Sequence, residues 1–197
     1  MATNANKKRC AWAEGKPPYY IDYHDKEWGK PVKHEADHFE LLCLEGAQAG
    51  LSWDTVLQKR ERYREVFHHF DVERCVNLTD AYLEKLLKDP GIIRNRLKVY
   101  SVRSNAVAFQ SIQAEFGSFN RYIWQMVDDT PIINHWRDIT QVPATSEISD
   151  QLSKQLKKYG FKFVGSTILY AYLQATGLVV DHTTDCHWHP DNPHYAD

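Results

Sequence analysis

Lys158-Tyr-Gly-Phe-Lys-Phe-Val-Gly165 separates two stretches that read as helix, with a glycine near each end of the turn. Before it, Ile148, Leu152 and Leu156 recur every fourth residue from about Ser146 to Tyr159; after it, a second helix covers Ser166 to Thr176. Working outward, Ala36 to Gln48 places Phe39, Leu42, Cys43, Gly46 and Ala47 on one helical face, and Gly50 ends it. Ser52 is a good N-cap for a helix to about Phe67, with Lys59, Arg60, Arg62 and Arg64 as a basic exposed face. Asp71 and Thr79 cap two short helices, the second running to Lys88. Pro90-Gly91 makes a turn, a long helix follows from about Ile92 to Phe116, and Gly117 closes it. Ser118 to Val127 is helical again, whereas Asp128 to Ala144, with Pro131 and Pro143, lacks a period and reads as a surface loop. No strand alternation competes and no repeat recurs. The predicted fold is all-α, two helical lobes in which the first helices pack with the last, and both tails are polar enough to be loosely held.

A chain of 197 residues, 43% hydrophobic and 25% charged, buries enough for one domain or two small packed ones. No apolar run approaches the roughly 20 residues of a membrane span. Met1 to Arg9 is polar and lacks a secretory core, so the expected location is the cytoplasm, with no membrane partner. With 24 Lys and Arg against 26 Asp and Glu, bulk charge advertises no nucleic acid, so any such surface must be local and its binding weak and salt-sensitive. Aromatics crowd the first quarter: Trp12, Tyr19, Tyr20, Tyr23, Trp28 and Trp53. They serve either the core or a ligand wall. Cys10, Cys43, Cys75 and Cys186 lie too far apart to suggest a disulfide framework in a reducing compartment, leaving metal ligation or burial.

Three constellations could carry chemistry. The glycine-bounded turn at 158–165 looks like a helix-hairpin-helix, in which backbone N–H groups and the helix dipole meet a DNA phosphate, with Lys162 beside them; an ordinary helix-helix turn is the alternative. Pro90-Gly-Ile-Ile-Arg94 is a weaker second candidate, and its Arg94, Arg96 and Lys98 also fit a solvated face. His182 and Cys186 have metal-ligand spacing, and Cys10 and His24 complete a possible Cys2His2 zinc site at the chain ends; a free thiol and a surface histidine are the other reading, with His187, His189 and His194 as rival ligands. Glu45 sits at the small, apolar end of a helix, where a carboxylate among aromatics could hold a flat, electron-poor ring; it could also be a solvated helix residue.

Taken together, Cys10-Ala-Trp12, Tyr20-Ile-Asp-Tyr-His-Asp-Lys-Glu-Trp-Gly29, Leu44-Glu-Gly-Ala-Gln-Ala-Gly-Leu-Ser-Trp53, Gly91-Ile-Ile-Arg94, Gly160-Phe-Lys-Phe-Val-Gly165 and Asp181-His182 with Cys186 resemble the DNA-3-methyladenine glycosylase I family, from about Arg9 to Trp188. The resemblance implies a single helix-hairpin-helix glycosylase unit over 1–197, a helical lobe plus a terminal zinc-binding lobe from residues near 9–30 and 178–190. It implies excision of N3-methyladenine from alkylated double-stranded DNA in base excision repair, by a monomer that releases free 3-methyladenine. Carried over by position, Cys10, His24, His182 and Cys186 hold one structural zinc ion, Glu45 is the catalytic residue and with Tyr23 reads the base edge, Trp53 stacks, and Trp12 and Tyr20 complete the wall. Trp28 is either wall or support. Gly50 and Leu51 face the gap left in the duplex, and Gly160, Lys162 and Gly165 belong to the turn that holds the phosphates. Asp181 either orients a zinc ligand, the favoured reading, or acts in catalysis. The segment His187-Trp-His-Pro-Asp-Asn-Pro-His194 and the extra N-terminal residues depart from the family pattern.

Methylation at N3 makes adenine cationic and weakens its glycosidic bond, so the implied enzyme needs selection of the cation and a water rather than a strong acid. No lysine stands at an obvious nucleophile position, which points to a glycosylase without lyase activity. Two other functions compete: a non-enzymatic zinc-stapled DNA-binding module, and a metal-dependent hydrolase of a small substrate, for which four protein ligands leave no open position.

Overall fold

The computed structural model describes residues 7–193. Its helices are α1 (Pro18–Lys26), α2 (Glu35–Gln48), α3 (Trp53–Leu57), α4 (Arg60–Val66), α5 (Val72–Val76), α6 (Asp80–Leu86), α7 (Arg96–Phe116), α8 (Phe119–Trp124), α9 (Glu147–Lys158) and α10 (Ser166–Ala175). The chain is thus mostly helical, as expected. Short polar side chains start the helices where the sequence places them: Ser52, Asp71, Thr79, Ser118 and Ser146 each accept a bond from the backbone N–H three residues on. Gly117, with φ +85°, closes α7.

Several expectations need correction. The helix expected from Ser52 to Phe67 is two, α3 and α4. The chain then turns through His68, His69 and Phe70, whose φ values of 54°, 54° and 55° are left-handed. Such backbone costs an L residue roughly 1–2 kcal/mol, and the buried rings of Phe67 and Phe70 anchor the turn. The long helix starts at Arg96 rather than near Ile92, because the Asn95 side chain caps it by accepting from the Lys98 N–H at 3.1 Å. Helix α1 went unread. Pro17 and Pro18 preset its first turn, and Tyr20, Tyr23 and His24 share one face. The supposed surface loop at 128–144 contains β1 (Ile132–Ile133), which pairs in parallel with β2 (Val179–Val180), and a two-residue strand is too short to show alternation.

The basic face on α4 is also different from a solvated one. Arg60 is buried and donates through Nε to Glu40 at 2.5 Å and through Nη1 to Glu27 at 2.6 Å, while Arg64 adds a 2.9 Å bond to Glu40. The core centres on α2, which is buried on all sides from His38 to Ala47 between α3, α7, α8 and α10. Phe39 packs edge-on against Phe109 at 5.3 Å, and Phe109 stacks on Phe119 at 4.2 Å.

The two ends of the described chain meet near the C-terminal end of α10. The Gly29 N–H donates to the Gln174 carbonyl at 3.1 Å, the Val32 N–H to Thr176 at 3.0 Å, and the His187 N–H to Lys8 at 2.8 Å. The described tail is therefore packed rather than loose, with His189 only 1% exposed. His194 lies outside the described residues. No helix among those described is long and apolar enough to cross a membrane.

Gly177 makes this meeting possible. Its φ is +69°, and a Cβ there would stand 2.4 Å from the Lys30 carbonyl carbon. Backbone cannot yield as a flexible side chain would, so Gly177→Ala should destabilise the protein by more than about 2 kcal/mol, read as a lower midpoint in thermal or urea unfolding.

Candidate active site and metal cluster

A cleft of about 410 Å³ opens between α1, the end of α2, α3 and α10, within the usual range of small-ligand sites. Its aromatic side brings together Trp12, Tyr20, Tyr23, Trp28 and Trp53, the residues singled out in the sequence. The Tyr19 hydroxyl donates to Asp54 at 2.6 Å and so ties α1 to α3, leaving the Tyr23 and Trp53 rings 5.2 Å apart. Trp12 meets Tyr20 edge-on at 5.7 Å and Trp28 at 5.0 Å. Trp28, left open between wall and support, does both: it lines the cleft and abuts the His182 ring at 4.7 Å.

The opposite side is polar and was mostly missed. Glu45 was anticipated, but Gln48, one turn along α2, and Thr167, Tyr170 and Gln174 on α10 also line the cleft. Their spacing on shared helical faces is the signal that could have found them. Asp181 belongs to this side. One of its oxygens accepts from Asn134 at 2.7 Å and Trp136 at 2.8 Å, the other from Tyr170 at 2.6 Å and Gln174 at 2.7 Å. It does not orient its neighbour His182, whose Nε2 instead meets the Trp28 carbonyl at 3.2 Å. The 128–144 segment contributes Ile139, Val142, Pro143 and Ala144 to the rim.

Beside the cleft lie the elements expected to face DNA. Gly50, with φ +76°, turns the chain out of α2 and leaves Leu51 exposed. At the hairpin, Gly160 has φ +93° and Lys162 is exposed, while Gly165 precedes an α10 whose first N–H groups receive no side-chain cap. The two elements touch: a Cβ on Gly46 would sit 3.0 Å from the Cβ of Phe163.

Behind the aromatic wall, Cys10, His24, His182 and Cys186 come together, all buried, with their ligand atoms within 4.8 Å of one another. Both thiols lie 3.4 Å from His182 Nδ1, and Cys186 lies 3.7 Å from His24 Nε2. For sulfur at about 2.3 Å and nitrogen at about 2.0 Å from a tetrahedral zinc, the sulfur–nitrogen edge is about 3.5 Å, so this donor set fits a metal ion. Its outer bonds fit as well: His24 Nδ1 meets Asp25 at 2.8 Å, and Asp25 accepts a two-pronged bond from Arg9. His189 does not compete, since Nε2 bonds the Asn134 carbonyl and Nδ1 accepts from the Asp191 N–H.

The family model for methyladenine glycosylases matches residues 12–189. The chain belongs to this family. A relative from Haemophilus influenzae, a DNA-3-methyladenine glycosylase, is 47% identical over 178 residues, 90% of this chain and 96% of the relative. A crystal structure of 3-methyladenine DNA glycosylase I superposes with a TM-score of 0.90 at 47% identity, covering 93% of this chain and 100% of that one. A second, of a variant in complex with 3-methyladenine, superposes with a TM-score of 0.89 at 34% identity, covering 93% and 98%. This chain is accordingly a DNA glycosylase of base excision repair, a hydrolase of N-glycosyl bonds directed at 3-methyladenine, and the non-enzymatic module and the small-substrate hydrolase fall away.

For a methyladenine glycosylase the telling feature is Glu45. It is buried, and no described residue bonds or pairs with it; burial alone pushes its carboxyl up to about 8. Burial, and after it the charge of Glu45, pushes the Tyr23 phenol well above its ordinary range. Near neutral pH Glu45 therefore faces the cleft in its protonated form. The unfolded chain ionises at the ordinary value of 4.5, so folding is progressively penalised as pH rises from 4.5 to about 8, by on the order of 5 kcal/mol at the plateau. Glu45→Gln removes that penalty. The variant should melt at a higher temperature than wild type at pH 8, with the gap closing toward pH 5; a variant that melts lower at pH 8 would contradict the assignment.

Proposed function

We propose that the cleft receives the extruded N3-methyladenine between Trp53 and the wall of Trp12 and Tyr20, with Glu45 and Tyr23 reading its edge. The observation that carries this is a buried, partnerless carboxyl facing an aromatic cleft. A neutral purine gives such a group little reason to ionise, whereas a cationic one lowers its pKa so that the carboxyl loses its proton to solvent, and the site discriminates by charge. As the bond to the deoxyribose breaks, its electrons neutralise the base, and no acid is needed to protonate the leaving group. Water then attacks the sugar carbon, and without a lysine nucleophile the product is an intact abasic site. Recognition of the cation should strengthen as pH rises toward about 8, where Glu45 ionises unaided.

In the same reading Gly50 and Leu51 fill the gap in the duplex, and Gly160, Lys162 and Gly165 hold the backbone through N–H groups and the α10 dipole. The unit acts as a monomer, residues 1–197 forming a helix-hairpin-helix lobe and a terminal lobe clamped by one structural zinc on Cys10, His24, His182 and Cys186. Bound there, zinc would supply cross-linking alone, since four protein ligands leave no position for water. Support comes from the thiol and imidazole donors, the near-tetrahedral edges and the acid behind His24.

Chromatography of bases freed from methylated duplex DNA tests the pocket. Wild type should release 3-methyladenine, and Glu45→Gln should do so roughly 10- to 100-fold more slowly, the loss expected for one charge-assisted contact. An undiminished rate in the variant would refute the role of Glu45. Metal analysis should find one zinc per chain, lost in Cys186→Ser together with a fall in melting temperature; a metal-free wild type of unchanged stability would remove zinc from the account.

A further inference from the structure

Helix α7 crosses behind both DNA-facing elements and reaches each with one polar side chain. Lys98 Nζ donates to the Ala47 carbonyl at 2.8 Å and the Ala49 carbonyl at 2.6 Å, the unpaired carbonyls at the end of α2 just before Gly50 and Leu51. Asn105 grips the hairpin from both sides of one residue. Its Nδ2 donates to the Lys162 carbonyl at 3.1 Å, and its Oδ1 accepts from the Lys162 N–H at 2.8 Å. The two residues are seven apart, so they share a face of α7 at about 10 Å along its axis. The helix between them is continuous and carries a cap at each end.

We propose that Lys98 and Asn105 are positioning residues that fix the spacing between the α2 tip and the hairpin, so that a nucleotide whose backbone the hairpin grips arrives in register with the pocket. Lysine suits the first place, because a cation at a helix C-terminus satisfies both the free carbonyls and the dipole. Asparagine suits the second, because its amide carries a donor and an acceptor on separate atoms, able to meet the N–H and the C=O of one residue together. The Lys162 backbone is held, which leaves its side chain free for the phosphates. Next to it Phe163 keeps a left-handed φ of 56°. That strain is held in place by the Asn105 clamp on one side and the close approach of Gly46 on the other. Neither positioning residue lines the cleft.

The proposal rests on reading 160–165 as the phosphate-holding hairpin, and the test separates the two. Lys98→Met, Asn105→Leu and Lys162→Glu are compared with wild type by quenching of tryptophan fluorescence with free 3-methyladenine and by single-turnover release from methylated duplex DNA. A misplacement of about 1 Å costs up to about 100-fold in rate. Lys98→Met and Asn105→Leu should therefore bind the free base within about 2-fold of wild type yet excise at least about 10-fold more slowly, and Lys98→Arg, whose guanidinium spans both carbonyls, should recover most of the rate. Unchanged excision overturns the proposal, as does a parallel fall in free-base affinity, which would mean a loosened pocket. Undiminished excision by Lys162→Glu sinks the hairpin reading and the proposal with it, whereas impairment in Lys162→Glu alone sinks only the proposal. Should Asn105→Leu fail to fold, Lys98→Met, at a half-buried position, decides the matter.

Discussion

Trp12 packs edge-on against the imidazole of His24 at 5.0 Å, and Trp28 against that of His182 at 4.7 Å, so whatever immobilises those two imidazoles immobilises the wall of the pocket. The segment before α2 has little regular structure of its own. It contributes one nine-residue helix and a stretch of irregular chain, yet it carries Trp12, Tyr20, Tyr23 and Trp28. A short helix is marginal unaided. The cluster of Cys10, His24, His182 and Cys186, the Arg9–Asp25 pair behind it and the backbone bonds to the end of α10 turn this segment into a fixed surface. Burial holds His182 below its ordinary pKa, which keeps the imidazole neutral, the form that binds a metal.

Against that fixed wall the fold places a group that works against stability. Glu45 lies on the helix the core is built around, one residue after fully buried Leu44, with no cation to meet it. Other buried acids among the described residues are satisfied: Glu40 by Arg60 and Arg64, Asp25 by Arg9, and Asp181 by four neutral donors. Glu45 has no such partner among the described residues and faces the cleft. In the proposed reading, the stability that burying Glu45 gives up becomes available to the binding of a cationic base.

The same helix connects recognition to DNA geometry. Within eight residues α2 and its exit carry Glu45, Gly46, Gln48, Gly50 and Leu51, which face in turn the cleft, the hairpin, the cleft again and solvent. A shift of α2 would move all of these together, and rigidity there comes from burial on all sides rather than from helix propensity.

Local chemistry made much of this legible in advance. Caps at Ser52, Asp71, Thr79, Ser118 and Ser146 and the left-handed stop at Gly117 are bonds between residues three or four apart, so the sequence contains both partners side by side. Glu45 was legible because a carboxylate breaks an otherwise small, apolar pattern, and His182 and Cys186 because imidazole and thiol stand at metal-ligand spacing, whereas the meeting of Cys10 and His24 with them needed the fold. Arg60 reads as an exposed cation until Glu40, twenty positions away, is seen beneath it. Asp181 reads as an escort for His182 until Tyr170, Gln174, Asn134 and Trp136 are seen to occupy both of its oxygens. The sequence by itself determined the helical class, the caps and the identity of the chemical groups, because these depend on residue type and on spacings within a turn or two. Tertiary structure alone decided which of those groups lie buried, which are partnered and which are left facing the cleft, because burial and pairing depend on residues brought together from distant parts of the chain.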